Sequence, residues 1–261
     1  MLAARGRRIA GYMALTLVAL PAFHTASTAA AGDPITRGEE LHAQGKLNQA
    51  REAYRVALQA EPSNFGALYR IAQVESELGE DASGEDQARL VAAAVEHARA
   101  AVTAAPESAQ GHVWLAVTLG RQALKEGSKK RLALSREIKS EADRALQIDP
   151  GVGRAYHVRA IWNRTVASLN AFERMIANTV LGGVPKGASM ENAVRDLEKA
   201  IELEPNYVNH HLELGRTFMM LKRTADARRE LETAVGLPPT SNPRDPTYQL
   251  EARKLLNKLS R

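Results

Sequence analysis

From residue 34 onward, apolar and small residues recur three and four positions apart, the spacing that lines one face of an α-helix, and proline interrupts the runs at intervals. Five prolines each close such a run: Pro62, Pro106, Pro150, Pro205 and Pro239. Small or apolar residues precede them at the same three offsets, as Ala50-Tyr54-Ala57, Ala94-Ala98-Ala101, Ile138-Ala142-Ala145, Ala193-Leu197-Ala200 and Ala227-Leu231-Ala234. Small side chains let a neighbouring helix approach closely, and proline ends a helix because it lacks an N–H and clashes with the preceding turn. The pattern predicts helix pairs over residues 34–62, 65–106, 109–150, 153–205 and 208–239. A turn-rich stretch then leads to a last helix, 247–260, whose Leu255, Leu256 and Leu259 would cap the open end of the stack.

The fourth of these units departs from the others. Residues 154–181 contain no Gly or Pro, and Ala155, Val158, Trp162, Thr165, Leu169, Phe172, Ile176 and Val180 follow one another at helical intervals. One long helix is expected here. Its stripe either packs on the following helix, 189–203, and on neighbouring units, or extends past them so that Leu169, Phe172 and Ile176 offer an apolar face to a partner or a lipid chain. Gly182-Gly183-Val184-Pro185 would turn the chain afterwards, since glycine reaches positive dihedral angles that other residues avoid. A phosphate loop does not fit these glycines: Gly187 is followed by Ala188 rather than Lys, and no strand precedes.

Composition supports a helical core. Of 261 residues 44% are hydrophobic but only 5% are aromatic, and alanine is abundant, which suits close-packed helices. There is no cysteine, so disulfides, thiolate metal sites and cysteine nucleophiles are excluded. Arg5, Arg7 and Arg8 precede an apolar run from Ile9 to Ala22 and small residues up to Ala31, a pattern that predicts a signal peptide over residues 1–31. A mitochondrial transit peptide is the competing reading, which a continuous apolar block fits less well. On this basis the chain is expected to be exported, to a periplasm or cell envelope, with no transmembrane span in its mature part. Of the formal charge of +5, three units belong to those arginines; the remaining +2 does not point to nucleic acid.

The five sets of residues before the prolines resemble the tetratricopeptide family, whose unit of 34 residues is two antiparallel helices. The proline spacings are 44, 44, 55 and 34, so the second, third and fourth units would carry insertions. Leu115-Ala116-Leu119 and Leu214-Gly215-Phe218 fit the family's first-helix pattern, whereas Arg159-Ala160-Asn163 departs from it, with Trp162 taking the apolar role. The fold class implied is an all-α tetratricopeptide-like superhelix of about five helix pairs plus a capping helix. A more specific likeness lies in residues 155–259. Trp162, Val166-Ala167-Ser168-Leu169, Phe172-Glu173-Arg174-Met175-Ile176-Ala177, the glycine turn, Pro205-Asn206-Tyr207 and Leu237-Pro238-Pro239 are similar to the regulator of microtubule dynamics family. That resemblance implies a helical-repeat domain used in protein association; an exported chain would not meet microtubules, so only fold and groove are carried over.

The tetratricopeptide likeness also implies that first helices line the inner wall of the stack. Carried over unit by unit, the wall holds Tyr69, Gln73, Glu77, Val117, Arg121, Arg154, His157, Ile161, Arg164, Asn209, Leu212 and Arg216. Its arginines could bind carboxylates of an acidic peptide or an anionic head group. Alternatively they are solvated, or paired with Glu77, Glu173 or Glu213. The adjacent His210 and His211 point different ways on a helix, and His112 and His157 lack metal-ligand spacing, so no metal and no cofactor is expected. Lys125, Lys129, Lys130 and Arg131, and separately Glu80, Asp81, Glu85 and Asp86, read as solvated insertion loops. No serine elbow, catalytic carboxylate pair or triad emerges. The expectation is a non-catalytic scaffold that holds a polypeptide in its groove, with carriage of a lipid or amphiphile on the fourth unit as the alternative.

Overall fold

The computed structural model describes residues 32–180 and 183–260, the side chains of Ile176 and Val180 excepted. The expected signal at residues 1–31 therefore lies outside the described residues, as does the side chain of Ile176 in the proposed apolar face. Among the described residues there are twelve α-helices and no strand. They are α1 (Pro34–Ala43), α2 (Leu47–Ala60), α3 (Phe65–Asp81), α4 (Gly84–Ala104), α5 (Ala109–Ala123), α6 (Ser128–Ile148), α7 (Gly153–Ala167), α8 (Ala171–Val180), α9 (Met190–Leu203), α10 (Val208–Met220), α11 (Thr224–Gly236) and α12 (Asp245–Leu259). The pairs are α1 with α2, α3 with α4, α5 with α6, α7 with α9 and α10 with α11, and each first helix also touches the first helix of the next unit. α12 packs on α11 and α10.

The proline punctuation has a direct structural reading. α2, α4, α6 and α9 each stop two residues before their proline. The intervening residues Glu61, Ala105, Asp149 and Glu204 leave the helical region, with φ between −132 and −143. Proline's ring disfavours helix in the residue before it. The recurring small residues are the contact surface: Ala50, Ala94, Ala98, Ala142, Ala193, Ala200, Ala227 and Ala234 are buried. At Gly215, a Cβ would stand 2.7 Å from Leu231 of the partner helix, so glycine there is a packing requirement. His112 and His211, each six residues beyond a unit-ending proline, sit in equivalent places. Nε2 of each faces the carbonyl of that proline at 2.9 and 3.0 Å, and Nδ1 faces Glu141 or Glu230 of the paired helix.

The insertions are helical, not loops. Units two and three absorb theirs by lengthening: α3, α4 and α6 have 17, 21 and 21 residues, against 13 in each helix of the fifth unit. This corrects the loop part of the reading of the two charge clusters: Lys125 stays in the turn after α5, the others are helical, and all but Glu80 are exposed. Lys129, Lys130 and Arg131 stand in the first turn of α6, and Arg131 donates to the carbonyl of Ala123 at the end of α5 and to that of Glu126 in the connection. Glu80 and Asp81 end α3 and are held by arginines from far along the chain.

The expected single helix over 154–181 is also corrected. It breaks at Ser168-Leu169-Asn170 into α7 and α8. Asn170 Oδ1 accepts from the Glu173 N–H at 2.9 Å, while Glu173 Oε2 accepts from the Asn170 N–H at 2.8 Å, a reciprocal capping box that starts a new helix. Arg174 then donates to the carbonyls of Val166, Ala167 and Leu169, closing the end of α7. Beyond the break, Phe172 of the stripe is 66% exposed, and Met175 beside it is 53% exposed.

The departure at Arg159 and Asn163 is explained by a buried carboxylate. Asp196 on α9 accepts two bonds from Arg159, at 2.9 and 2.8 Å, and a third from Asn163 at 3.1 Å. Asp196 is 3% exposed, so these bonds replace its hydration. Trp162 ties α7 to α6, its indole N–H donating to the carbonyl and hydroxyl of Ser135.

Candidate functional site

α3, α5, α7 and α10, the first helices of four successive units, contribute to one wall. A partly open cavity of about 110 Å³ sits on it. It is lined by Glu77, Val117, Arg121, Arg154, His157 and Asn209 from the expected wall, and by Trp114, Val158, Tyr207, Asn242 and Tyr248. Tyr207 lies two residues after Pro205, and the segment before α12 supplies Asn242 and α12 itself Tyr248. Sequence reasoning passed over all three; the Pro205-Asn206-Tyr207 run was visible, but its place on this wall was not.

The C-terminal segment does more than cap the stack. Arg244 donates to both oxygens of Asp81 at 2.7 and 2.6 Å and pairs with Glu80 at 2.6 Å, across 163 residues of chain. Glu80 also holds Arg121. This ion-pair group, with Arg244 buried and Asp81 at its exposed edge, fastens the residues before α12 against α3.

The four expected wall arginines have different fates. Arg164 donates to the Glu213 carboxylate, the Glu213 carbonyl and Thr217; Arg216 is shared by Glu213 and Glu251. Both are paired within the chain, the alternative that the sequence left open beside ligand binding. Arg121 is consumed in part by Glu80, and burial lowers its pKa, while its Nε has no hydrogen-bond partner. Arg154 differs from all three. Its guanidinium meets no carboxylate among the described residues and lies over the Trp114 and Tyr207 rings in cation–π contact, its central carbon 5.5 and 5.0 Å from the ring centres. Burial opposes its charge, and the fields of Tyr207, Glu204 and Glu77 outweigh that, so its pKa lies above the ordinary guanidinium value.

Around Arg154 the remaining groups are fixed. Glu77, 6% exposed, accepts from Gln73 at 2.9 Å and lies 2.7 Å from His42, so both of its oxygens are engaged. Tyr69 stacks under Arg70 and against Phe65, outside the cavity lining. His157 Nδ1 is 2.9 Å from His210 Nδ1. Burial, with His210, Arg164 and Arg154 nearby, pushes His157 well below the usual imidazole value; burial also lowers His210, only partly opposed by Glu204. Both rings are therefore neutral near pH 7. Tyr207 and Tyr248 are raised by burial and stay protonated donors.

A second cavity, about 430 Å³ and mostly apolar, lies between α6, α7 and α8, lined among others by Leu132, Val166, Leu169, Phe172, Ala177 and Pro185. Leu169 and Phe172 of the expected apolar face meet there. It shares no lining residue with the first cavity, so Arg121 and Arg154 are not beside it. Among the described residues no group of His, Asp and Glu is arranged to hold a metal, and no helix is long and apolar enough to cross a membrane.

Five helix pairs stacked through their first helices, with a capping helix, define a tetratricopeptide-type repeat protein. Solved structures agree on the fold: a thermophilic TPR protein of Thermus thermophilus matches with a TM-score of 0.64 at 18% identity, covering 87% of this chain and 97% of that one. The pilus biogenesis factor PilW matches at 0.54 and 17% identity, covering 87% and 90%. The family model described as Regulator of microtubule dynamics protein 1-3 matches residues 35–260, and the chain belongs to that family. Regulator of microtubule dynamics protein 1 of Mus musculus is 28% identical over 256 residues, 95% of this chain and 83% of that protein. Protein 3 of the same organism is 29% identical over 228 residues, and the chain spans only 47% of its length. The likeness read over 155–259 thus extends through the whole stack. These relatives overturn the expected export to a periplasm or cell envelope: they are animal proteins named for microtubule dynamics. The physical reason is that a short arginine-led apolar run is read by more than one targeting route, so it does not specify a compartment.

Proposed function

We propose that this protein is a non-catalytic scaffold that holds another polypeptide against the wall of α3, α5, α7 and α10. The carrying observation is that one surface collects side chains from four successive units, with a basic, aromatic and amide-lined cavity at its centre. Such a wall suits an extended segment, because neighbouring repeats supply a long rigid surface without chemistry at any point. A photo-crosslinking side chain at Asn209 in cells should capture a defined polypeptide that the same group at the exposed Glu198 of α9 does not; equal products from both positions would end this reading.

The alternative, carriage of an amphiphile, is favoured by the 430 Å³ apolar cavity beside exposed Phe172. In that reading chains would enter between α6 and α8, with Arg131 rather than Arg121 or Arg154 near the head group. Native mass spectrometry of gently purified protein should then retain lipid, and lose it on Phe172→Asp; lipid-free spectra of intact folded protein would remove the idea.

A further inference from the structure

In a solenoid each repeat touches its immediate neighbours, so distant units are joined only through those between them. This chain adds a shortcut. Arg244, beyond the fifth unit, holds Glu80 and Asp81 at the end of α3 in the second and bypasses units three and four. Among the described residues no other hydrogen bond or ion pair joins the first two units to the chain beyond residue 208. Pro243 reaches the turn between α1 and α2 as well: a Cβ on Gly45 would stand 3.8 Å from it.

The segment that carries Arg244 is built as an arm. Asp245 accepts from the Thr240 N–H and hydroxyl at 2.8 and 2.7 Å, and Asn242 Oδ1 accepts from the Arg244 N–H at 3.0 Å, so the arm's shape is set by its own bonds. Its root is the fifth unit, where Gln249 donates to the Leu237 carbonyl at 2.7 Å and α12 packs on α10 and α11. Asn242 and Tyr248, on either side of Arg244, line the 110 Å³ cavity together with Glu77 of α3 and Trp114 of α5. The grip is incomplete, since Arg244 Nε and Asp245 Oδ1 are buried without a hydrogen-bond partner among the described residues. Opening hydrates both, which offsets part of what the ion pairs contribute.

We infer that Arg244 is the catch of a clamp: engaged on Glu80 and Asp81 it holds the second and fifth units together across the wall, and released it lets them part and opens the cavity to a bound segment. The inference rests on the scaffold reading for what enters, and adds how entry is controlled.

The test exploits the lack of cysteine. In the full chain, Glu96→Cys on α4 and Glu232→Cys on α11, both exposed, take spin labels, and pulsed electron paramagnetic resonance reads the separation of the two units. Arg244→Gln should give a longer or broader distribution than the wild-type arginine. A soluble gadolinium chelate should then relax the Trp114 indole N–H more strongly, while the Trp162 indole, bonded to Ser135, serves as internal control. The opposite arm is Asp81→Cys with Arg244→Cys, bridged by a short bismaleimide, which replaces the ion pair by a covalent tie. Capture from the photo-crosslinking group at Asn209 should rise about 5-fold or more in Arg244→Gln, the lower end of ordinary coupling between sites, and be lost in the bridged chain. Circular dichroism checks that Arg244→Gln is folded; if it is not, the bridged chain against wild type decides. An unchanged separation and Trp114 relaxation in folded Arg244→Gln, or equal capture by wild-type and bridged chains, would overturn the clamp and leave the scaffold. Opening of the cavity with no capture from Asn209 in any form would support the clamp and end the scaffold reading.

Discussion

The fourth and fifth units pair their helices at the same offsets from a proline, yet different forces hold them. In the fifth, α10 lies on α11 chiefly through shape: Gly215 admits Leu231, Phe218, Leu214 and Ala227 are buried beside them, and His211 facing Glu230 at 3.0 Å is a polar contact between the two. In the fourth, α7 is tied to α9 by charge as well, through Arg159 and Asn163 on buried Asp196, and α8 stands between them in sequence. One backbone arrangement thus tolerates two kinds of contact, provided that volume is matched in one case and every buried polar atom is satisfied in the other.

The largest expected effect tests the polar contact. Asp196→Ala leaves Arg159 without its main partner in a half-buried site and should cost about 3–5 kcal/mol in denaturant unfolding. A loss under about 1 kcal/mol would mean that packing alone holds the fourth unit. Gly215→Ala is the matching test in the fifth: Leu231 must move, at a cost of about 1–3 kcal/mol in the same measurement, and Leu231→Ala in the same chain should recover part of the strain.

A pH titration separates the units differently. The folded chain holds His157 and His210 neutral, mainly by burial, whereas unfolding restores their ordinary value near about 6.5. Their contribution to stability is present above that value and is lost as pH falls below it, because the unfolded chain takes up protons that the folded one refuses. The denaturation midpoint should therefore drop between pH 7.5 and 5.5, and drop less in His157→Gln; an unchanged slope would assign the dependence to other groups. The smallest effect belongs to the break in the fourth unit. Asn170→Ala removes one arm of the capping box, worth about 1 kcal/mol, and should speed amide exchange in α8 while leaving α7 and α9 protected.

Much of this architecture is written in local pattern. The offsets Ala50-Tyr54-Ala57-Pro62 and their four repetitions determine where second helices end and which face they bury, because proline geometry and close approach act within one or two turns of helix. The break at Asn170-Ala-Phe-Glu173 was legible too, as a capping box; it was hidden by an apolar stripe whose period runs unbroken through it. The site was legible only as a list of wall positions. Which arginine would stay unmatched depends on partners 41, 49 and 35 residues away, Glu80 for Arg121, Glu213 for Arg164 and Glu251 for Arg216, and on Arg244 reaching back to Asp81. Periodicity carries no information about such pairs, since a carboxylate on the same face of the stack looks alike in sequence whether or not it comes within reach. The helices and their order follow from the chain alone; the singling out of Arg154 follows from the stacking that brings distant charges together and leaves this one beside two aromatic rings.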